Sequence, residues 1–151
     1  MNRILKLINS YLPHMILVGS KARGSKTARD LDFITNTNLN EVIFNLDQLL
    51  SKKFGKLKIL KKGPKHISVY TDDTKIDVWR WRTPQERIFM YFARTGNKQF
   101  NIRARRLAKL KGYKLTDTGL FEDGKRINVR NEKDLFKKLG ITYRRVKDRT
   151  Y

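Results

Sequence analysis

The sequence predicts an α+β fold in two parts, residues 1–84 and residues 85–151. The first part contains five stretches with strand character and two with helical spacing, which predicts a mixed sheet packed against helices. The second part starts next to Pro84, a residue suited to the first turn of a helix, and two helical stretches precede a short hairpin. A smaller α+β part is therefore expected after the seam at Thr83-Pro84.

Apolar spacing and turn residues predict each element in order. The first part is expected to contain a helix over 3–11 ended by Pro13, strands over 14–18 and 30–35 on either side of a break at Gly19-Ser20, a turn at 36–38, a helix over 40–54, and strands over 56–61, 65–71 and 75–81. The second part is expected to contain helices over 84–95 and 97–111, a hairpin of 113–115 with 119–121, a turn at 123–124, a helix capped by Asn131, and a basic tail over 143–151.

Composition restricts the class of protein. Leu, Ile, Val and Phe make up 43 of the 151 residues, about 28%, above the roughly 20% below which charged chains stay disordered. Thirty-five Lys and Arg against fourteen Asp and Glu give a net charge of +21, which suits a polyanionic partner, nucleic acid first. Both halves are basic, with 16 basic and 7 acidic residues before the seam and 19 and 7 after it. A continuous binding surface is therefore favoured over a basic tail.

Several kinds of site are excluded. The chain has no cysteine, which rules out disulfides, thiolate metal sites and cysteine nucleophiles. Its two histidines are too few for most histidine-centred chemistry. No apolar run approaches the roughly 18 residues of a membrane span, so no membrane partner is expected. The segment after Met1 is amphipathic and does not have the pattern of a signal peptide, which favours an intracellular protein.

Three aspartates stand where strands can bring them together. Asp30 and Asp32 lie two residues apart on one expected strand, so their side chains leave the same face about 7 Å apart. Asp77 lies between Ile76 and Val78 on a later strand. If the two strands pair, three carboxylates meet on one face, a donor set that suits Mg²⁺. Two such ions would relieve the repulsion and activate an attacking 3′-oxygen in phosphoryl transfer.

Each of these features has an ordinary alternative when it stands alone. An aspartate on a strand is often paired with a neighbouring lysine, and Asp77 could be a surface residue of an edge strand.

Gly19 and Ser20 end the first strand, where backbone N–H groups and a hydroxyl can hold phosphate oxygens, and Arg23 can add a charge-assisted contact. The metal-site prediction therefore depends on the combination and the order of these residues.

That combination resembles the nucleotidyltransferase superfamily: Gly19-Ser20-x-x-Arg23-Gly24, then Asp30-x-Asp32, then the strand residue Asp77. The second half is similar to the thumb of family X DNA polymerases. The matching residues are Thr95-Gly96, Phe100-Asn101, Arg103, Arg105, Lys111-Gly112-Tyr113, Gly119-Leu120-Phe121, Glu132-Lys133-Asp134-Leu135-Phe136 and Tyr143-Arg144…Lys147-Asp148-Arg149. The resemblance covers nearly the whole chain and is greatest to the small viral repair polymerases that keep only palm and thumb.

The resemblance implies a nucleotidyltransferase-type palm over residues 1–84 and a thumb over 85–151. It implies that Asp30, Asp32 and Asp77 are catalytic and bind two Mg²⁺ ions, with Mn²⁺ as a substitute. The residues expected to bind the incoming nucleotide are Gly19, Ser20, Arg23, Arg29, Arg94, Gly96, Asn101 and Arg105. The residues expected to bind DNA are Lys98, Arg103, Arg106, Lys61 and Lys62, although a solvated helix face remains the alternative for Arg103 and Arg106.

Asn101 and Arg105 are also singled out by their spacing. They lie four residues apart and share one stripe of their helix, beside an apolar stripe. Minor-groove acceptors occur in every base pair, so an Asn and an Arg there can check the shape of a pair without reading its sequence.

Two features depart from the family pattern. The family usually has two aromatic residues directly before Thr-Gly, whereas this chain has Ala93-Arg94, with Tyr91-Phe92 two positions earlier. Either one residue is inserted, or the pocket for the nucleotide sugar is rebuilt around Arg94. Arg29 stands directly before Asp30, where it is either a phosphate ligand or a screening charge. 

The expected function is template-directed DNA polymerisation, which adds dNMP from a dNTP to a primer 3′-hydroxyl, with short-gap filling in DNA repair as the setting. The expected partners are DNA, as primer–template or gapped duplex, and dNTP. A monomer is expected, in the cytoplasm or at a viral replication site. Two alternatives stay open: a template-independent nucleotidyltransferase, and a DNA-binding protein without catalysis.

Overall fold

The computed structural model describes residues 2–150; Met1 and Tyr151, the outermost residues of the two predicted parts, lie outside the described residues. The chain divides into two compact units. The first contains the residues up to Lys21 together with Ser25–Arg80, and the second contains Ala22–Gly24 and the residues from Trp81 onward. The assignment of palm and thumb to residues 1–84 and 85–151 stays a prediction.

The first unit is built on a five-stranded mixed sheet. Its elements, with α2 ending in the second unit, are α1 (Arg3–Tyr11), β1 (Ile16–Val18), α2 (Gly19–Ala22), β2 (Leu31–Thr35), α3 (Leu39–Phe54), β3 (Lys58–Lys62), β4 (His66–Thr71) and β5 (Thr74–Arg80). The strand order is β1-β2-β5-β4-β3. The β2–β5 pair is parallel and the other three pairs are antiparallel. The predicted α+β fold with a mixed sheet is confirmed.

One face of this sheet carries the hydrophobic core. Leu31 and Phe33 of β2 and Ile76 and Val78 of β5 pack in one buried cluster with apolar side chains of α1 and α3. Successive side chains of a strand point to opposite faces, so the residues between these core positions project from the other face. That face carries Asp32 and Asp77 and is called the aspartate face below.

The second unit combines three helices with a small antiparallel sheet. Its elements are α4 (Pro84–Thr95), α5 (Lys98–Leu110), β6 (Lys114–Leu115), β7 (Leu120–Glu122), β8 (Lys125–Ile127), α6 (Glu132–Leu139) and a 3₁₀ turn at Val146–Asp148. Phe92, Phe100 and Phe136 pack ring against ring at its centre. Side chains cap the helices as their positions predict, for example Asn131 Oδ1, which accepts a hydrogen bond of 2.8 Å from the Asp134 amide.

Some sequence expectations are wrong in detail. The strand expected over 14–18 is confined to residues 16–18, and Gly19-Ser20 begins a four-residue helix instead of a plain break. Strand β2 begins at Leu31, which leaves Asp30 outside the strand. The turn at 123–124 leads into a third strand, β8, which extends the predicted hairpin. The shifted starts of β1 and β2 fall at element ends, where local propensity is weakest, and the two missed elements, α2 and β8, are only four and three residues long.

No helix within residues 2–150 is both long enough and apolar enough to cross a membrane.

Candidate active site

Asp32 and Asp77 lie side by side at the centre of the sheet. They are register partners on the parallel strands β2 and β5, so their Cα atoms are separated by about one strand spacing of 4.8 Å. Asp32 is partly exposed, whereas Asp77 is buried, with 6% of its surface accessible. Two carboxylates this close, one of them buried, favour a bound cation because their charges repel each other.

Asp30 is placed differently from the prediction. It precedes β2 and is exposed to solvent, two residues before Asp32. Among residues 2–150, no three Asp, Glu or His side chains converge closely enough to hold a metal ion. The structure therefore brings Asp32 and Asp77 together but does not assemble the three-carboxylate cluster with Asp30.

The Asp77 carboxylate is held by two neighbours on the sheet. His66 Nε2 lies 2.8 Å from Asp77 Oδ1, and Lys75 Nζ lies 3.4 Å from Asp77 Oδ2. The donor set on the aspartate face nevertheless fits a divalent metal ion such as Mg²⁺, since such ions prefer carboxylate oxygens and need only one or two of them beside substrate phosphates and water. Asp32 and Asp77 would provide these oxygens.

Because Gly19 has no side chain, the Asp32 carboxylate can occupy the space next to it. The backbone at Gly19 has a φ of +74°, and a Cβ built there would overlap Asp32 Oδ2. The left-handed conformation and the close approach both require glycine at the end of β1. The first residue of the Gly-Ser motif is thus fixed by the position of the carboxylate, in addition to any role toward phosphate.

Gly19→Ala is expected to displace the Asp32 carboxylate and to lower nucleotidyl-transfer activity at least about tenfold, which corresponds to about 1.4 kcal/mol. Gly24→Ala is the matched control, because Gly24 also has a left-handed φ, of +92°, but a Cβ there meets nothing within 4 Å. Both variants carry a similar backbone strain of roughly 1–2 kcal/mol. Equal activity of the two variants would show that the contact with Asp32 is unimportant.

The other predicted phosphate ligands of the loop have contacts of their own. Ser20 is partly buried in α2. Arg23 belongs to the second unit, where its Nη1 donates a hydrogen bond of 2.9 Å to the Thr95 carbonyl oxygen. Arg29 is exposed and lies 3.5 Å from the Asp73 carboxylate, which also accepts a hydrogen bond from the Tyr70 hydroxyl. That hydrogen bond raises the pKa of Tyr70.

The second unit has a cavity of about 240 Å³ that collects several predicted nucleotide ligands. Its lining contains Phe92, Ala93, Arg94, Asn101, Arg105, Leu115, Thr116 and Asp117. Arg94 Nη2 lies 3.3 Å from Asp117 Oδ2. Tyr91 is not part of this lining; burial raises the pKa of its hydroxyl. Ala93 and Arg94, the two residues directly before Thr95-Gly96, therefore line the cavity together with Asn101. Helix α4 continues through them without interruption.

Asn101 is fixed within the second unit by its amide group. Its Nδ2 donates a hydrogen bond of 2.7 Å to the Ala93 carbonyl oxygen, while its Oδ1 is buried and has no hydrogen-bond donor among residues 2–150. Gly96 permits this arrangement, because a Cβ there would lie 2.7 Å from Asn101 Oδ1. A buried acceptor without a partner is costly, and a ligand in the cavity could satisfy it.

The predicted DNA ligands are all exposed, but they do not share one surface. Lys98, Arg103 and Arg106 lie on α5 in the second unit. Lys61 pairs with Ser68, which in turn pairs with Asp77, so Lys61 points to the aspartate face. Lys62 pairs with the core residue Ile67 and points to the opposite face.

The sequence interpretation missed the contacts that three residues make. His66 and Lys75 contact Asp77, although the two histidines were judged too few for most histidine-centred chemistry. Arg149, taken as part of a basic tail, is fully buried. Lys75 could have been found, since it lies two residues before Asp77 on one strand, but the contacts of His66 and Arg149 depend on pairing over longer stretches of chain.

Known proteins are similar to this chain in both of its units. The family model described as DNA polymerase beta thumb matches residues 90–150. The repair DNA polymerase X of African swine fever virus is 26% identical over 150 residues, which cover 95% of this chain and 86% of the viral protein. The chain is thus similar to DNA polymerases of family X in both units. Three further isolates of the virus have a repair DNA polymerase X with the same 26% identity to this chain.

Solved structures show the same fold. The polymerase beta of Leishmania infantum in a ternary P/T complex has a TM-score of 0.74 and 21% identity, over 98% of the present chain and 72% of the other. The ternary gap complex of the same protein has a TM-score of 0.73 and 20% identity, over 97% of the present chain and 66% of the other.

Proposed function

We propose that this protein is a template-directed DNA polymerase of family X that fills short gaps during DNA repair. It would transfer dNMP from a dNTP to a primer 3′-hydroxyl and release pyrophosphate. The observation that supports this best is the register of Asp32 with Asp77 on adjacent parallel strands, in a chain that resembles a viral repair DNA polymerase over 95% of its length. Asp32, Asp77 and Asp30 are the proposed catalytic residues.

The same three aspartates would hold two divalent metal ions, Mg²⁺ by preference and Mn²⁺ as a substitute. When bound, these ions supply charge stabilisation for the transferring phosphoryl group and the leaving pyrophosphate. The chain itself positions the reactants. Asp77, as an ionised carboxylate, can accept a hydrogen bond from the primer hydroxyl. Gly19 and Ser20, at the end of β1, are proposed to bind the terminal phosphates of the incoming nucleotide.

The cavity in the second unit is the proposed place where the nascent base pair is checked. Asn101 Oδ1 is a buried acceptor that no donor within residues 2–150 satisfies, and Arg105 lines the same cavity as a donor. Arg105 is a donor of the kind that recognises the minor-groove acceptors common to all correct pairs, whereas Asn101 Oδ1, as an acceptor, would take a hydrogen bond from a donor group of the nucleotide. Arg94 and Gly96 complete the proposed nucleotide pocket, and Arg94 takes the position that aromatic residues occupy elsewhere in the family.

The test of this proposal is primer extension on a duplex with a one-nucleotide gap. Each dNTP is offered separately against each template base, with Mg²⁺ and then with Mn²⁺. We expect incorporation that follows the template base. Addition that ignores the template would show a template-independent nucleotidyltransferase, and absence of addition with either ion would favour a DNA-binding protein without catalysis.

DNA is proposed to run over the aspartate face, which gives a prediction for two adjacent lysines. Lys61→Gln should reduce the slope of log affinity against log salt concentration by about 1, because one phosphate contact is lost. Lys62→Gln, which removes the same charge from the opposite face, should change the slope much less. Fluorescence anisotropy of gapped DNA at several salt concentrations measures both. Equal slopes for the two variants would contradict this path for the DNA.

We further propose that the enzyme acts as a monomer inside the cell, in the cytoplasm or at a viral replication site. Sedimentation of the protein alone and with gapped DNA would test the monomer.

A further inference from the structure

Asp77 is the most buried of the three proposed catalytic aspartates, and its carboxylate is contacted on both oxygens. The Oδ1 contact is with His66 Nε2, at 2.8 Å, and the Oδ2 contact is with Lys75 Nζ, at the longer distance of 3.4 Å. An ionised carboxylate can only accept hydrogen bonds, so the imidazole Nε2–H is the donor. The short contact with His66 therefore determines which way the Asp77 carboxylate is turned.

The His66 ring is itself held in place. It stacks on the indole of Trp79, with ring centroids 4.5 Å apart and planes within 2° of parallel. His66 and Trp79 are register partners on β4 and β5, and the His66 side chain is only 20% exposed. The sheet pairing and the stacked ring thus fix the plane of the imidazole, and the imidazole in turn fixes the carboxylate of Asp77.

We propose that His66 is a positioning residue for Asp77, with Trp79 as its support. Side chains that donate to a metal-ligating carboxylate orient it and typically contribute 10–100-fold to metal affinity. His66 would hold the Asp77 carboxylate in the orientation that binds a divalent ion. Metal binding would then not have to restrict a freely rotating side chain. The inference rests on the proposed function only in that Asp77 is taken as a metal ligand.

Two substitutions at His66 separate the effect of its hydrogen-bond donor from the effect of its aromatic ring. His66→Phe keeps an aromatic ring that can stack on Trp79 but removes the N–H, whereas His66→Gln keeps an N–H near the Nε2 position. His14→Phe makes the same change at the second histidine of the chain and serves as control. The binding of Mn²⁺ is followed by electron paramagnetic resonance, on the full chain without DNA or nucleotide, and thermal unfolding is measured in parallel.

The expected result is that His66→Phe weakens Mn²⁺ binding about 10–100-fold and that His66→Gln restores most of it. His14→Phe should bind Mn²⁺ like the unsubstituted protein. If His66→Phe does not fold, Trp79→Leu provides the test, since it removes the support but keeps the donor and should weaken Mn²⁺ binding to a lesser degree.

Other outcomes would overturn the proposal. Unchanged Mn²⁺ binding in His66→Phe would mean that His66 only satisfies a buried carboxylate, and tighter binding would mean that His66 competes with the metal. Absence of Mn²⁺ binding by the unsubstituted protein would also contradict it. Because the measurement needs no turnover, it is independent of the primer-extension assay: His66-dependent Mn²⁺ binding without polymerisation would contradict the proposed function alone.

Discussion

Asp77→Asn is expected to lower single-nucleotide incorporation about 1000-fold or more, since losing the charge of this proposed metal ligand removes several kcal/mol of transition-state stabilisation. The substitution keeps the shape of the buried side chain, which contacts His66 and Lys75. The affinity for gapped DNA should be nearly unchanged, because phosphate contacts with basic side chains dominate DNA binding. Single-turnover incorporation and anisotropy with the same gapped duplex measure the two quantities.

Asp123→Asn is the matched control for that experiment. Asp123 is an exposed turn residue of the second unit with a φ of +50°, a conformation that asparagine also adopts. Its incorporation rate should equal that of the unsubstituted protein. Retained incorporation in Asp77→Asn would remove Asp77 from the proposed catalytic residues, and a parallel loss of DNA affinity would show that the residue acts through binding.

The second large effect is expected for stability. Arg149 is fully buried, and its guanidinium makes two hydrogen bonds to the Glu132 carboxylate, of 2.7 and 2.6 Å. It also donates to Thr95 Oγ1, at 2.7 Å, and to the Arg144 carbonyl oxygen, at 3.0 Å. Removal of one partner of a buried ion pair typically costs about 3–5 kcal/mol, because the other charge is left without compensation. Arg149→Met should therefore destabilise the second unit by about this amount.

Hydrogen exchange of α4 and α6 amides measures that loss within the second unit. Arg145→Met is the control: Arg145 pairs with Asp148 at 3.4 Å on the surface, where such pairs contribute about 0–1 kcal/mol. The double variant Arg149→Met/Glu132→Leu should recover much of the stability, since a buried ion pair can often be replaced by apolar side chains. A loss of less than about 1 kcal/mol in Arg149→Met would contradict the structural role of this pair.

Local patterns in the sequence predict much of the fold. The helix that begins at Pro84 with its Thr83 cap follows from a position-specific preference that needs no information from elsewhere. The alternation of apolar and acidic residues around Asp32 and around Asp77 likewise predicts that both side chains project from the face opposite the core. Their pairing could only be stated as a condition, because the register of β2 with β5 is decided by the packed sheet.

Other parts of the site depend on contacts that are distant in sequence. His66 reaches Asp77 because β4 and β5 form an antiparallel pair with Ser68 opposite Asp77, which places His66 on the same face two residues away. Arg149 lies in the segment predicted as a basic tail, and its pairing with Glu132 arises only in the folded second unit. The expected position of Asp30 within a strand was wrong because pairing of β2 begins one residue later.

The most direct test of the account is a crystal structure of the protein with gapped DNA, a non-hydrolysable dNTP analogue and Mn²⁺, in which anomalous scattering locates the ions. The account predicts two Mn²⁺ ions about 3.5–4 Å apart, with Asp32 and Asp77 among their ligands and the primer terminus beside Asp77. Ions bound elsewhere, or nucleotide bound with no ion at these aspartates, would contradict it.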